Sequence, residues 1–410
     1  MKQLVAIELD TRKMTTTGEN KGRYHAKIKV TFRRMRSGVR TWEPRRFKTW
    51  VYATPEEFDK IMSENNRVPS ELIRKRNVLN DKKRKAVEIL AKMPTITPDE
   101  FQVLFDCEGN MESIEAVAKI AIAELEAEDR VGTAESYQRA VTSVKKNGGH
   151  NFTDITVKWL KGYQKKLTEK GSITTVGIYL RAIRRMFKIA IKRKLIHPDL
   201  YPFGEGGYLI PSGRKKKKAL AFAEKDKVLN YSKDNIEARY GADFWIFSYL
   251  GNGMNPTDIA HLQFKNLEGN KFSFVRRKTK DTNQEQVAIT VHIRPEAREI
   301  IARHGNKTLD PNAYVFPILN AGLTAKQCRE RIRKFGKRVN AGLKIVSEDL
   351  KLPFVLKFGH ARHTSFTILK NQGVEVKKIS ELAGHASVQT TEIYLGSIES
   401  DELEKISGKL

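Results

Sequence analysis

Phe358-Gly359-His360-Ala361-Arg362-His363-Thr364 is followed by Leu382-Ala383-Gly384-His385 and then by Thr390-Thr391-Glu392-Ile393-Tyr394. An arginine, a histidine and a tyrosine therefore arrive in that order on short helical segments. A guanidinium grips a phosphate through a planar fork, an imidazole donates a hydrogen bond, and a phenol can attack phosphorus. The three together are the set that cutting a nucleic-acid strand with a tyrosine requires. No other stretch narrows function so far.

The rest of the chain agrees with an anionic polymer as partner. Lys and Arg number 76 against 48 Asp and Glu, a net charge of +28 over 410 residues. Such an excess selects DNA, RNA or an anionic membrane surface. Membrane is the weakest of these, because no run approaches roughly 18 apolar residues. The N-terminal stretch meets Glu8 and Asp10 too soon for a secretory signal, so a cytoplasmic location is expected. Cys107 and Cys328 are far apart and read as small buried hydrophobes, not as a disulfide framework or a zinc site. A chain this long exceeds one ordinary core, so two or three domains are expected.

Working back from the motif, the sequence divides into three parts. Residues 1–95 form a sheet-plus-helix module with a basic helical linker. Tyr24, Ala26, Ile28, Val30 and Phe32 point one way, while His25, Lys27, Lys29, Thr31 and Arg33 point the other. That alternation is a half-buried strand with a cationic outer face, and Lys27, Lys29 and Arg33 are its candidate DNA contacts. Thr41-Trp42 and Phe47 to Tyr52 read as two further strands after a Ser37-Gly38 turn. Thr54-Pro55-Glu56-Glu57 opens a helix with a capping box. A basic helical stretch from Pro69 to Met93 then separates this module from the next. Residues 105–208 read as all-helical. Leu180, Ile183, Phe187 and Ala190 make an apolar stripe there, with Arg181, Arg184, Arg185 and Lys188 on the exposed side. Pro211-Ser212-Gly213-Arg214 and the lysines that follow form a linker, where Lys215 and Lys216 are placed to lie along phosphates. Residues 219–410 are mixed but mainly helical, with strands at Lys271 to Val275 and Gln286 to Val291 around a polar hairpin. The expected fold is a multidomain α/β chain: a β-sheet module, an all-helical domain, and a mainly helical domain carrying a β-hairpin.

The C-terminal 190 residues resemble the catalytic domain of the tyrosine recombinases, the phage-integrase family, and the layout resembles integrases with an arm-binding module. Ala361-Arg362-His363-Thr364 matches the family's second arginine box. Leu382-Ala383-Gly384-His385 and Thr390 to Tyr394 match its last two elements, and Arg277-Lys278-Thr279 matches its hairpin lysine. The resemblance implies Tyr394 as nucleophile, Arg362 and His385 on the phosphate, and Lys278 as general acid for the leaving 5′-oxygen. It implies a helical core-binding domain of SAM-like type, arm-type and core DNA sites, a homotetramer on synapsed DNA, and room for an accessory DNA-bending protein. Energy stays in the phosphotyrosyl link, so no metal, ATP or other cofactor is expected.

Two positions depart from the family pattern. Asn255 stands where the first-box arginine belongs, within Gly253-Met254-Asn255-Pro256-Thr257-Asp258. An amide brings no positive charge to a pentavalent phosphate, and one lost donor costs roughly 3–4 kcal/mol by analogy with oxyanion holes. Arg276, Arg277 and Arg294 are the candidate substitutes. The second departure is that His360 lies two residues before Arg362, not three, where Gly359 stands. The expected function is a site-specific recombinase that integrates, excises or inverts a DNA element. The alternative, prompted by Asn255, is a catalytically impaired relative acting as a site-specific DNA-binding regulator. A type IB topoisomerase would share the tyrosine but leaves the basic N-terminal module without a role. An RNA-binding protein leaves the ordered Arg-His-Tyr series unexplained.

Overall fold

A computed structural model describes residues 5–36, 39–63, 67–93, 95–106, 113–213, 218–277, 288–308, 310–384, 389 and 391–392. The chain forms two compact units, Met1–Gly213 and Arg214–Leu410. Among the described residues no helix is long and apolar enough to cross a membrane.

The first unit begins with an antiparallel sheet in the order β1 (Val5–Met14), β2 (Tyr24–Arg36), β3 (Val39–Ala53). Its inner face carries Ala26, Ile28, Val30, Phe32 and Phe47, all buried, as period-two alternation requires. Two features differ from the sequence reading. The third strand is β1, whose Val5, Ile7 and Leu9 pair with Val30, Ile28 and Ala26. Residues 41–52 are one strand, not two. Pro44, opposite Thr31, does not break it, because β3 is an edge strand and needs no amide donor on its open side.

Thr54 caps α1 (Pro55–Met62) with the reciprocal Glu57 hydrogen bond that its sequence predicts. The basic stretch that reads as a linker is α2 (Ser70–Lys92). It covers the sheet, burying Leu72, Leu79, Ala86, Ile89 and Leu90. Next come α3 (Pro98–Asp106), α4 (Ile114–Ala127), α5 (Val131–Lys146), α6 (Val157–Lys170) and α7 (Ile173–Lys192). Phe101 of α3 sits with its ring 5.4 Å from Phe32 and 4.5 Å from Phe47, so the sheet and the helices share one core. On α7, Val176, Leu180, Ile183, Phe187 and Ala190 are buried. Arg181, Arg184, Arg185 and Lys188 are exposed along one stripe of that helix.

The second unit contains α8 (Phe222–Leu229), α9 (Ile236–Leu250), α10 (Pro256–His261), β4 (Leu267–Glu268), β5 (Lys271–Val275), β6 (Ala288–His292), α11 (Pro295–His304), α12 (Ala325–Asp349), α13 (His360–Asn371) and α14 (Val376–Ala383). The strands form an antiparallel sheet in the order β4-β5-β6. The central helix is α9, with Ala242, Phe244, Trp245, Ile246 and Phe247 all buried. It crosses α12 backbone to backbone. A Cβ on Gly241 would meet the Gly342 Cα at 2.9 Å, and one on Gly342 would meet the Glu237 carbonyl oxygen at 2.0 Å. That crossing sets the floor on which α10 and α13 are placed.

Because Phe101 joins sheet and helices, Phe101→Ala should destabilise the first unit by about 3–5 kcal/mol. Exposed Arg84→Ala should change it by under about 0.5 kcal/mol. Denaturant melts of the full chain that show equal midpoints for the two variants would contradict a shared core.

Candidate active site

The turn between α9 and α10 and the start of α13 meet at Arg362. Gly253 makes the meeting feasible. Its φ is +69°, and a Cβ there would lie 2.8 Å from the Arg362 Cα and 2.6 Å from its Cγ. A side chain at 253 would therefore push α13 away. One Nη of Arg362 donates to the Gly253 carbonyl at 3.2 Å, and the other donates to the Ala383 carbonyl at the end of α14 at 2.8 Å. The guanidinium lies 4.6 Å from the Phe366 ring centroid. Two carbonyls and a ring fix its plane, so the cation is aimed before any ligand arrives.

Beside it sits Asp258, buried at 4% exposure on the first turns of α10. Its Oδ1 accepts the Arg277 backbone N–H at 3.0 Å and its Oδ2 accepts the Asn255 amide at 2.6 Å. Burial raises its pKa, opposed by the Arg277 hydrogen bond and by the charges of Arg276, Arg362 and Arg277. One carboxylate thus tethers the hairpin base to α10 with three arginines close by. The sequence alone assigns Asp258 no such role, because its partner at 277 is 19 residues further along the chain, beyond β5.

Asn255 is the N-cap of α10. Its side-chain oxygen accepts the backbone N–H groups of Thr257 and Asp258 at 3.1 and 3.4 Å. The amide is therefore occupied as a cap on one side and on Asp258 on the other. Of the proposed substitutes, Arg276 and Arg277 act on Asp258, whereas Arg294 is exposed at the start of α11 and its charge bears on Tyr249.

His360 opens α13. Its Nδ1 accepts the Lys357 backbone N–H at 3.1 Å, and its ring meets Phe354 edge-on at 5.1 Å. Burial, then Lys357 and Lys218, lower its pKa from 6.5 to about 4. The imidazole is therefore neutral at physiological pH. Thr364, one turn further on, accepts the Leu220 N–H at 3.0 Å and anchors the segment entering this unit.

Tyr394, His385, Lys278, Lys215 and Lys216 lie outside the described residues, as do Cys107 and the acidic stretch at 399–404. Gly384, just before His385, is left-handed at φ +59° and closes α14. On the N-terminal sheet Lys27 donates to Asp10 at 2.6 Å, and Lys29 lies 3.9 Å from Glu8. The cationic face is thus partly balanced by β1, and the Arg33 side chain is outside the described residues.

Comparison with known proteins follows the same division. Residues 218–400 match the phage integrase family, and residues 114–208 match the phage integrase SAM-like domain. Tyrosine recombinase XerA of Pyrococcus horikoshii is 24% identical over 238 residues, covering 56% of this chain and 72% of the relative. Its namesake from Pyrococcus furiosus is 23% identical over 239 residues with the same coverage. The Tn1549 transposon integrase, solved with a circular intermediate DNA, superposes with a TM-score of 0.52 at 17% identity, over 73% of this chain and 100% of that one. The XerH recombinase bound to a difH substrate gives 0.51 at 14%, over 86% and 92%.

The His360 environment sets a pH dependence. Its folded pKa is depressed, so the neutral ring contributes stability that is complete above pH 6.5. That stability is lost as pH falls toward about 4, where only the unfolded state has taken up the proton. Between these limits His360→Asn should flatten the decline in unfolding free energy. A variant whose decline parallels the wild type across urea melts would contradict this.

Proposed function

We propose that this chain, whose residues 218–400 belong to the phage integrase family and whose residues 114–208 are a SAM-like domain of that family, breaks and rejoins duplex DNA at defined sites to integrate, excise or invert an element. The observation that carries the reading is Arg362, held flat by two carbonyls beside a cluster of cations. That is a phosphate cradle prepared in advance, at the head of the Arg-His-Tyr series. Tyr394 attacks the scissile phosphate, its phenol proton passes to solvent water, and the bond from phosphorus to the 5′-oxygen breaks. A 3′-phosphotyrosyl ester and a 5′-hydroxyl result. Lys278 donates the proton to the leaving oxygen, and His385 and His360 donate hydrogen bonds to phosphate oxygens. Reverse attack by the 5′-hydroxyl of a partner strand rejoins the backbone with no external energy source.

Arg276 takes the place of the missing first-box arginine. It leaves the hairpin strand next to the Asp258 that Arg362 also faces, whereas Asn255 is committed to capping α10. Arg181, Arg184, Arg185 and Lys188 bind phosphates of the core site, and Lys27, Lys29 and Arg33 those of the arm sites. Lys215 and Lys216, in the linker between the helical and catalytic domains, lie along the phosphates of the core duplex. Strand exchange between two duplexes calls for four protomers, with an accessory bending protein bringing arm and core sites together. The second reading, a DNA-binding regulator without strand transfer, keeps its motive in Asn255 and predicts binding with no adduct.

A nicked suicide duplex carrying the element's end should trap a covalent complex that is absent in Tyr394→Phe. Arg276→Ala should slow trapping by about 10²–10³-fold and Arg294→Ala hardly at all. Site binding without any adduct would favour the regulator instead. Asn255→Arg should lower both activity and stability, the latter by about 0.5–2 kcal/mol, because it removes a cap without filling a vacancy. Enhanced trapping by that variant would show that the cradle does lack a charge.

A further inference from the structure

The outer strand of the N-terminal sheet holds a feature that sheet formation does not need. Ala26 pairs with Val51 but Lys27 pairs with Lys48, so Thr49 and Trp50 have no counterparts on β2. At this bulge Trp50 adopts φ +64°, the left-handed region, where a bulky side chain is strained. The other described non-glycine residues with positive φ are Asp129, Lys194, Asn252 and Lys351.

The strain is held by dedicated partners. Thr49, buried, donates its hydroxyl to the Ala26 carbonyl at 2.5 Å and accepts the Val51 N–H at 3.2 Å. Nε2 of His25 accepts two backbone N–H groups, from Trp50 at 3.0 Å and from Thr49 at 3.3 Å, while its ring stacks on Tyr52 at 4.7 Å. Every one of these bonds would form with glycine at position 50, which takes this φ without cost. The indole contributes little inside the fold, since Trp50 is 66% exposed. Bulges re-aim side chains, and strain of this kind marks functional positions.

The surroundings indicate the partner. Lys48 Nζ lies 5.3 Å from the Trp50 ring. Lys27, Lys29 and Arg46 share that face, with Glu8 and Asp10 of β1 as its described acids. A flat apolar ring among cations fits a surface that offers phosphates next to sugar and base edges. We propose that Trp50 is a DNA-contact residue of the N-terminal sheet, laying its indole against deoxyribose or base-edge surface in a groove while Lys48 takes the neighbouring phosphate. This rests on the reading of the sheet as an arm-site module.

The test titrates the full chain with labelled duplexes from the element's ends that exclude the crossover site. Trp50→Gly should weaken binding by about tenfold with the salt dependence unchanged, because no charge is lost. Its thermal midpoint should hold or rise, since the strain is relieved, which a merely structural tryptophan would not allow. Tryptophan emission that iodide quenches in the wild type should be protected by the duplex, and reduced in the variant even without DNA. Affinity within about twofold of wild type, or a lowered midpoint, overturns the proposal. So does unchanged DNA affinity with weakened self-association, which would assign the ring to a protein partner. Combined Lys27→Ala, Lys29→Ala and Lys48→Ala separates the two levels of inference. If that variant binds poorly and Trp50→Gly binds well, only the Trp50 assignment fails. If both bind as wild type, the arm-site reading of the sheet fails with it.

Discussion

The plane of the Arg362 guanidinium is set by backbone carbonyls from two separate segments. A carbonyl oxygen orients a cation and leaves its charge in place. The Gly253 and Ala383 carbonyls orient the guanidinium plane, one from the turn after α9 and one from the end of α14. Each needs its own backbone arrangement: a left-handed glycine at 253 pressed on the Arg362 backbone, and a helix that stops at Ala383 because Gly384 turns left-handed. The Gly241–Gly342 crossing of α9 and α12 supports these pieces. Much of the second unit can be understood as scaffolding for one planar cation.

Clustering cations has a cost that Asp258 offsets. Arg276, Arg277 and Arg362 would repel one another in a partly buried setting, where effective dielectric screening is weaker than in water. A single buried carboxylate lowers that repulsion, and it accepts hydrogen bonds from the Arg277 backbone and the Asn255 amide.

Local chemistry was legible in the sequence wherever one segment decides its own structure. The Thr54–Glu57 capping box, the Asn255 cap with Pro256, the period-two face of β2 and the exposed cationic stripe of α7 are all local patterns. What was not legible depends on distant partners. The strand character of Val5–Met14 is completed by pairing with β2, and Pro44 interrupts a strand pattern unless that strand is known to be an edge. The basic helix α2 reads as a linker because its charges outnumber its buried Leu72, Leu79 and Ile89. Arg276 and Arg294 are equivalent in sequence. They separate only once β5 is laid beside α10.

The same local reasoning accounts for Asn255 as a helix cap. A helix that starts immediately after a left-handed glycine turn needs an acceptor for its first free N–H groups, and an Asx side chain at the cap supplies one. Arginine has no acceptor and cannot do this. An arginine at 255 would have to leave α10 uncapped or find a cap elsewhere. Arg276, just past the end of β5, bears on Asp258 without taking any part in the α10 cap. Catalysis of phosphoryl transfer requires charge at a point in space. It places no demand on the position in the chain that supplies it.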